Sequence, residues 1–350
     1  MTDPLSPAEI RAEVEARTGQ RERDIAEELK ISEAELLAAF TGAGVTRIAA
    51  DPDRLMPAAE RLGEVMALTR TRSAVHEKVG RYGGYHPGEH AAMVLAEEID
   101  LRIFPKHWRH AFAVEKPTEA GLRRSLQVFD AAGDAVHKIF LREGSDPDAW
   151  RALVAELATG EDADRIEVAE RMPPEAPKSD PAKADILRKE WRRLTDTHQF
   201  LRLCSKLKMN RLGAYRIAGA PFVRPLAPAA VTQMLEAVRD QGVEIMLFVG
   251  NRGCIQIHSG GIGTLKTMGP WQNILDPGFN LHLRADHVAE VWAVEKPTQR
   301  GPAVSVEAFD GHGALIFQVF GLGKEGRDSR PAWGALVESL AGLADAEPAE

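Results

Sequence analysis

The chain has 350 residues, of which 44% are hydrophobic and 27% charged, so it is long enough to bury two hydrophobic cores. Its formal net charge of -8 at pH 7 argues against a broad phosphate-binding surface. Its two cysteines, Cys204 and Cys254, form no CxxC motif and indicate neither a disulfide framework nor a structural zinc site. The N-terminus lacks the features of a signal peptide, and no run of about 18 apolar residues occurs. We therefore expect a soluble cytoplasmic protein without membrane insertion.

The N-terminal residues 7–41 are predicted to be helical. Ser6 followed by Pro7 is typical of a helix start, and residues 23–40 have the rhythm of a helix-turn-helix motif in which Ser32 and Glu35 form a capping box. A DNA-binding regulator is therefore an alternative function. However, the second helix, EAELLAAF, carries acidic and apolar residues where base recognition needs Arg, Lys, Asn or Gln. A packed helical hairpin is the better interpretation, and no nucleic-acid partner is expected.

Short strand-like runs follow a helix predicted at residues 54–68. The segment FDAAGDAVHKIF predicts a hairpin with Gly133 in its turn, and a helix at residues 150–157 closes this part of the chain. Residues 161–182 are rich in Glu, Asp, Pro and Ala and predict a linker. After a helix at residues 229–241, a second series of strand-like runs begins.

The two series are copies of each other. The hexapeptide AVEKPT at residues 113–118 recurs 180 residues later, and with this offset residues 71–140 align with 251–320 without a gap and with 18 identities. The sequence therefore predicts an α+β fold of two tandem, structurally similar halves, each a mainly antiparallel sheet with helices. The first half is expected at residues 1–160, the linker at 161–182, and the central helices with the second half at 183–350.

The central stretch 185–207 is predicted to form one helix. Five residues recur at steps of four and three, which places them on one face: Leu187, Trp191, Leu194, His198 and Leu201. A histidine inside such an apolar stripe needs a hydrogen-bond partner or a ligand, so His198 is either a core histidine or a binding residue. Its neighbour Asp196 is badly placed along a helix to be that partner. A break is expected near residues 208–210, with Asn210 capping a second helix through Ala218.

Arg102 is a second candidate residue, because it differs between the copies, where His282 replaces it. In the strand DLRIF, alternation puts Leu101 and Ile103 on one face and Arg102 on the other. Arg102 is therefore either a solvated strand residue or an inward donor over a ligand.

Taken together, these segments resemble a known family. The ordered set is DLRIF around Arg102, THQFLRL around His198, MLFVGNRGC at residues 246–254 and the repeated AVEKPT, on a duplicated architecture. This set resembles the bacterial hemin-degrading or haem-trafficking family of the HemS and ChuS type, over about residues 23–333. The resemblance implies a cytoplasmic haem-binding protein of bacterial iron uptake, with haem in a cleft between two similar halves.

The resemblance also implies roles for individual residues. His198 matches the proximal histidine that binds the iron, and Arg102 matches the distal arginine. The other implied haem contacts are Arg211, Phe248, Lys296 and Gln318. On the residues alone, Lys296 is equally a solvated strand end, and Phe248 is more readily explained as core. The chain departs from the family at Phe320 and Gly323, where a tyrosine and an arginine-containing tail are usual, so Lys324 or Arg327 is expected to replace the basic group.

The resemblance leaves two activities open. Either the protein opens the porphyrin ring, with Arg102 as a catalytic residue, or it passes haem to a separate haem oxygenase. Electrons must come from outside, because the sequence has no flavin or nicotinamide fingerprint. The partners implied are haem, a haem ABC importer and a separate oxygenase or reductase, with the chain a monomer or a dimer. A duplicated structural or protein-binding module without a cofactor is the remaining alternative.

The first copy also concentrates histidines: His76, His86, His90, His107, His110 and His137. Their spacings fit no compact metal-ligand set except the pairs His86/His90 and His107/His110. A second, transient haem site using one of them is a further alternative.

Overall fold

A computed structural model describes residues 5–119 and 121–343. The first residues of the predicted first half and the last residues of the predicted second half lie outside this range. The chain divides into two compact units, the first formed by Met1–Arg70, His76–Met172 and Gly250–Gln256, the second by Thr71–Val75, Pro173–Val249 and Ile257–Glu350. The division after Met172 falls within the predicted linker. Residues 71–75 belong to the second unit, and residues 250–256 belong to the first. The division predicted from the sequence uses consecutive segments only, so it does not include this exchange.

The first unit contains five helices and nine strands in its described part. The helices are α1 (Pro7–Ala16), α2 (Glu22–Leu29), α3 (Glu33–Ala38), α4 (Pro52–Glu60) and α5 (Pro147–Leu157). The strands are β1 (Val45–Ile48), β2 (Gly63–Arg70), β3 (Ala74–Arg81), β4 (Tyr85–His86), β5 (Ala92–Leu95), β6 (Asp100–Ile103), β7 (His110–Thr118), β8 (Gly121–Phe129) and β9 (Ala135–Ser145).

The second unit repeats this series of elements. Its helices are α6 (Ala184–Trp191), α7 (Gln199–Lys206), α8 (Arg211–Ala218), α9 (Ala230–Gln241) and α10 (Arg330–Ser339). Its strands are β10 (Val223–Leu226), β11 (Ile245–Gly250), β12 (Cys254–Gly260), β13 (Leu265–Met268), β14 (Trp271–Asp276), β15 (Phe279–Arg284), β16 (Val288–Lys296), β17 (Ala303–Asp310) and β18 (Leu315–Gly321), with a terminal hairpin of β19 (Gly323–Lys324) and β20 (Arg327–Asp328).

Strand order confirms the predicted α+β duplication. The strands of the first unit follow the order β1-β7-β8-β9-β2-β3 and include the ladder β4-β5-β6, and those of the second follow β10-β16-β17-β18-β11-β12 and include β13-β14-β15. The two orders are equivalent, because each strand of the second unit takes the place of the strand numbered nine lower in the first unit. Three helices precede the first strand in both units, so the repeat extends well beyond the 70 aligned positions.

Each sheet has a helical layer on both faces. In the second unit, Val291 and Ala293 pack with α9 and α10, whereas the alternating residues Trp292 and Val294 pack with α6, α7 and α8. This two-residue period is what a strand covered on both faces requires. The three helices α6–α8 are thereby held against the sheet by buried apolar side chains, and they carry the residues of the candidate site.

Several predicted elements are confirmed at their ends. Ser6 and Ser32 cap α1 and α3 through capping boxes, Asn210 caps α8, and Gly133 occupies the hairpin turn with φ +76°. The helix predicted at residues 54–68 is wrong in its second half, because α4 ends at Glu60 and β2 begins at Gly63. Gly63 has φ +77°, a conformation that ends the helical path and that glycine adopts at little cost.

The helix α3 does not have the surface of a DNA-recognition helix. Four of its six residues are buried, namely Ala34, Leu36, Leu37 and Ala38. The two others are Glu33, which pairs with Lys138 at 2.6 Å, and Glu35, which belongs to the capping box. The helix therefore presents none of the Arg, Lys, Asn and Gln side chains that most often read base edges.

A buried histidine in the first unit has a hydrogen-bond partner at each ring nitrogen. His137 Nδ1 lies 2.8 Å from Thr69 Oγ1 and Nε2 lies 2.5 Å from the Tyr82 hydroxyl, while Thr69 Oγ1 donates to Gln256 Oε1 at 2.9 Å. The ring is therefore neutral, with Nδ1 as donor and Nε2 as acceptor. Burial lowers the pKa of His137 to about 3.

This histidine predicts a pH-dependent stability. Between roughly pH 6.5 and pH 3 the unfolded state binds a proton that native His137 does not, so the free energy of unfolding falls as the pH falls, by up to about 1.4 kcal/mol per pH unit. The equivalent position of the second unit carries Phe317. We expect His137→Phe to have a shallower dependence over this window, measured by urea unfolding at several pH values. An unchanged slope would assign the dependence to other groups.

Candidate functional site

His198 does not lie inside a continuous helix. The predicted helix at 185–207 is wrong, because α6 ends at Trp191 and α7 begins only at Gln199. Leu187, Trp191 and Leu194 are buried as predicted, but the His198 side chain is 88% exposed and Leu201 is 51% exposed. The expectation of an apolar stripe enclosing His198 is therefore also wrong.

The break between α6 and α7 comes from side chains that bond to the backbone. The Asp196 carboxylate accepts from the backbone N–H of His198 at 2.7 Å, and the Gln199 Oε1 atom accepts from the N–H of Thr195 at 2.9 Å. Gln199 Nε2 also donates to the Thr195 hydroxyl at 3.0 Å. Such local bonds offer the backbone an alternative to helical hydrogen bonding. His198 is consequently displayed at the beginning of α7.

Asp196 fixes one side of the imidazole. Its Oδ1 atom accepts from His198 Nδ1 at 2.7 Å, which corrects the expectation that Asp196 is badly placed to do so. The pKa of Asp196 is lowered because the carboxylate accepts from both the backbone N–H and the ring of His198. With Nδ1–H as the donor, the lone pair lies on Nε2. A carboxylate behind an exposed histidine is the arrangement that orients a metal-ligating imidazole.

An open groove of about 540 Å³ lies along α7 in the same unit. Its lining comes from α7 (Leu201, Cys204, Ser205), from the following turn and start of α8 (Lys208, Met209, Asn210, Arg211), and from Glu175 and Lys178 of the linker. Leu201 stands three residues after His198, so the two share one side of the helix. Three cationic side chains and one carboxylate in this lining favour a ligand that is partly apolar and partly anionic.

The linker segment is held tightly at this groove. Asn210 caps α8 and its Oδ1 atom accepts from the N–H of Lys178 at 2.9 Å, while its Nδ2 atom donates to the carbonyl of Ala176 at 2.8 Å. A Cβ atom at Gly213 would lie 1.9 Å from the Lys178 carbonyl oxygen, so only glycine permits this approach. The lining at Lys178 is therefore fixed by the turn that begins α8.

Cys204 also lines the groove and carries a sulfur atom, yet it is a poor metal ligand. Burial raises the pKa of its thiol to about 11. The thiol is therefore protonated at neutral pH, whereas metals bind the thiolate.

A buried charge network lies beneath the helices, centred on Glu307 of β17. The fully buried carboxylate accepts from Lys296 Nζ at 2.9 Å, from Arg211 Nη1 at 2.8 Å and from the Tyr215 hydroxyl at 2.9 Å. Ser305 Oγ donates to it at 2.9 Å as well. Burial raises the pKa of Glu307, but Lys296 and Arg211 outweigh this effect and lower it well below its ordinary value. The carboxylate is ionised, and the three charges sum to +1.

Arg211 and Lys296 occupy different positions in this network. The Arg211 side chain is 21% exposed and lines the groove, so its guanidinium is available to an anion. The Lys296 side chain is only 4% exposed, with Nζ also 3.1 Å from the Tyr215 hydroxyl. A direct haem contact by Lys296, as the sequence predicts, would require its pair with Glu307 to open.

The network also holds α7 in place. Trp191 packs on Phe200 with ring centroids 4.4 Å apart, and Phe200 stacks on Tyr215 at 5.5 Å. Lys296 Nζ lies 5.1 Å from the Phe200 ring centroid. Phe200 follows His198 by two residues, so the aromatic cluster links the position of the histidine to the Glu307 network.

Phe248 and Gln318 lie in register with Glu307 on neighbouring strands. Glu307 is opposite Gln318 in β17 and β18, and Gln318 is opposite Phe248 in β18 and β11. Phe320 shares this sheet face and packs edge to face on Phe248, with centroids 5.6 Å apart. These three side chains are half-buried, whereas the side chains on the part of the same sheet face that α6–α8 cover are buried. They form a partly open apolar surface with one amide.

The residues proposed to replace the missing basic group lie in the terminal hairpin. Lys324 is opposite Arg327 in the pair β19–β20. Arg327 forms an ion pair with Glu244, with Nε 3.1 Å from its carboxylate. The guanidinium of Arg327 is therefore already engaged within the second unit.

Arg102 belongs to the first unit. Leu101 and Ile103 are buried and Arg102 is 32% exposed on the opposite face, which confirms the predicted alternation. Its Nη1 atom donates to Asp100 and, at 3.1 Å, to the carbonyl of Leu101. The guanidinium is thereby oriented by its own strand.

Comparison with known proteins shows the family of the chain. The model of the haemin-degrading HemS/ChuX domain matches residues 30–157 and again residues 208–340. The chain belongs to the haemin-degrading HemS/ChuX domain family. The two matches of this family correspond to the two units, and each ends within one or two residues of α5 or α10.

Within the HemS/ChuX family, the chain is 37% identical over 325 residues to the hemin transport protein HmuS of Yersinia pestis, covering 92% of this chain and 93% of that protein. It is similar to holo-PhuS, a heme-binding protein from Pseudomonas aeruginosa, with 41% identity, a TM-score of 0.92 and coverage of 97% and 100%. It is also similar to the heme degrading enzyme ChuS of Escherichia coli O157:H7, with 33% identity, a TM-score of 0.87 and coverage of 96% and 100%.

Two residues of the site were missed by the sequence interpretation. Asp196 was dismissed because the helix was assumed to be continuous. Glu307 had a visible signal, since AVSVEAFD places a carboxylate within an apolar strand and the other copy has Gln127 at that position. A charge gained by one copy at a buried strand position indicates that partners of opposite charge were gained with it.

Proposed function

We propose that this protein binds haem through His198 Nε2 and serves bacterial haem-iron use in the cytoplasm. The observation that carries the proposal is the exposed imidazole, whose Nδ1 is bound by Asp196 at 2.7 Å while Nε2 points away from that carboxylate. Neutral histidine is a common axial ligand of haem iron. The similar proteins HmuS, PhuS and ChuS, which are described as hemin transport, heme-binding and heme degrading proteins, support the same ligand.

The surroundings of His198 suit the rest of the haem molecule. Haem is a flat apolar disc with two carboxylates, and the groove beside His198 offers Leu201 for apolar contact and Arg211, Lys178 and Lys208 for the carboxylates. We assign Arg211 as the principal carboxylate partner, because Glu307 fixes its orientation. Lys296 then acts as a positioning residue through Glu307, and Phe248 and Gln318 remain proposed contacts.

Hemin titration tests the proposal. Wild-type protein should give a saturable Soret band at one haem per chain, and excess salt should weaken binding through the carboxylate contacts. Titration without any saturable spectral change would contradict haem binding and favour a duplicated module without a cofactor.

Bound haem then has two fates, delivery to a separate oxygenase or opening of the porphyrin ring. Haem would supply the iron at which oxygen is activated, and Arg102 is the proposed donor that would stabilise the negative charge developing there. Reduction of the complex with ascorbate in air separates the fates: loss of the Soret band to a ring-opened product indicates an oxygenase, and an intact band indicates a carrier. A haem importer and an electron-donating reductase are the proposed partners.

For the oxygenase, Arg102→Ala should reduce the rate of Soret loss by about 100-fold to 1,000-fold, the range typical of losing one charge-stabilising donor. Hemin affinity should change far less, because the iron ligand is intact. Arg142→Ala, on an exposed part of β9, is the matched control. A variant that degrades haem at the wild-type rate would remove Arg102 from the chemistry.

A further inference from the structure

A second pocket lies in the first unit. Its volume is about 300 Å³, and it is lined by His90, Phe104, Lys106, His107 and Arg252. The lining contains two permanently charged cations, two imidazoles and an aromatic ring, but no carboxylate.

Arg252 is held in this pocket by its neighbours. The Asn251 carboxamide accepts from the N–H groups of Gly253 and Cys254 at 2.9 and 3.0 Å and donates to the Val136 carbonyl at 2.8 Å. The Gly253 carbonyl accepts from the N–H of Phe104 at 3.0 Å. The turn is thereby bonded on both sides of Arg252.

The duplication supplies an internal comparison, because the same turn occurs in the second unit. There Thr71 Oγ1 accepts from the N–H groups of Ser73 and Ala74 at 3.1 Å, and the Ser73 carbonyl accepts from the N–H of Arg284 at 2.9 Å. Arg72 and His287 are the counterparts of Arg252 and His107. The framework is therefore common to both copies.

The second copy satisfies its polar groups internally. Arg284 forms an ion pair with Asp286 at 2.6 Å, and Ser73 Oγ lies 3.0 Å from His287 Nδ1. In the first copy the corresponding residues are Phe104, Lys106 and Gly253. The first copy thus has neither the carboxylate nor the hydroxyl; a lysine takes the place of Asp286, and an aromatic ring takes the place of Arg284.

The glycine is part of this difference. A Cβ atom at Gly253 would lie 2.5 Å from Val136 Cγ1 and 3.4 Å from His107 Cβ, so the serine of the other copy does not fit. No ion pair forms at Lys106 or Arg252 among the residues that the structure describes. Burial lowers the pKa of His107, Lys106 and Arg252 lower it further, and Asp130 opposes this shift.

We propose that the pocket of His90, Phe104, Lys106, His107 and Arg252 binds a phosphate-bearing small molecule. Lys106 and Arg252 neutralise the phosphate, and the imidazole N–H groups add donors. The half-buried Phe104 ring gives the organic part of the ligand an apolar surface. The proposal is independent of haem binding at His198, and a carboxylate-only ligand would use the two cations less fully than a phosphate dianion does.

Binding of phenyl phosphate to the full-length protein tests the proposal, measured by calorimetry at low ionic strength. We expect a saturable Kd below about 1 mM, and about a tenfold weakening in Arg252→Gln and in Lys106→Gln, since each removes a charge-assisted contact. Arg72→Gln is the matched control, because it removes the equivalent arginine of the other copy and should leave binding unchanged. Benzoate should bind more weakly than phenyl phosphate.

Three results would overturn the proposal. They are the absence of saturable binding by wild-type protein, an equal loss in Arg72→Gln, and benzoate binding as tight as phenyl phosphate. Arg252, Lys106 and Arg72 are all exposed, so their variants should keep the wild-type circular dichroism spectrum and melting temperature.

Discussion

Replacing Glu307 by glutamine is expected to lower the free energy of unfolding by about 3–5 kcal/mol, because it leaves Lys296 and Arg211 without their shared buried carboxylate. The side chain keeps its size, so the effect reports charge rather than packing. Arg211 should also lose its fixed orientation at the groove, which should weaken hemin binding. Urea unfolding measures the first effect and hemin titration the second.

Glu290 provides the control for this change. It pairs with Arg216 at the surface of the same unit, where ion pairs contribute little, so Glu290→Gln should alter stability by no more than about 0.5 kcal/mol. If Glu307→Gln were as stable as the control variant, the buried network would not stabilise this unit. Gln127 occupies the equivalent position of the first copy, so glutamine itself is compatible with the strand.

Replacing His198 by alanine is expected to weaken hemin binding at least about 100-fold, which exceeds the 10- to 100-fold typical of losing a residue that only orients a ligand. Asp196→Ala should fall within that smaller range, because the imidazole remains but is no longer held. Folding should be unaffected, since the His198 side chain is exposed. Titration followed at the Soret band measures both affinities.

His312→Ala is the matched control, because this exposed histidine lies in a hairpin turn of the same unit. It should bind hemin as wild type does. Equal affinities of the His198 and His312 variants would show that hemin adsorbs to the protein without a specific axial ligand from α7.

The duplicated architecture could be predicted from the sequence because its signals are local. Alternating apolar residues mark the strands, and a constant offset of 180 residues aligns the copies. The cap at Asn210 was also predictable, because asparagine is one of the residues preferred at helix N-caps. These features depend on neighbours within a few residues.

The rest of the site could not be predicted from the sequence. It depends on side-chain hydrogen bonds that compete with helical ones and on partners that are far apart in the sequence. The apolar periodicity predicted that the helix continues through Thr195, Asp196 and Thr197. Periodicity contains no information on whether side chains there form hydrogen bonds to the backbone in place of the helical ones. Glu307 meets Arg211 across 96 residues, a separation at which spacing carries no information. The position of Arg252 in the first unit likewise follows from the exchanged segments 71–75 and 250–256, which no linear division of the chain contains.

The most direct test of the central claim is the iron–histidine stretching band in the resonance Raman spectrum of the ferrous haem complex. Wild-type protein should show this band, Asp196→Ala should shift it because the imidazole loses its carboxylate partner, and His198→Ala should lack it. A band that persists unchanged in His198→Ala would show that another residue binds the iron and would contradict the account.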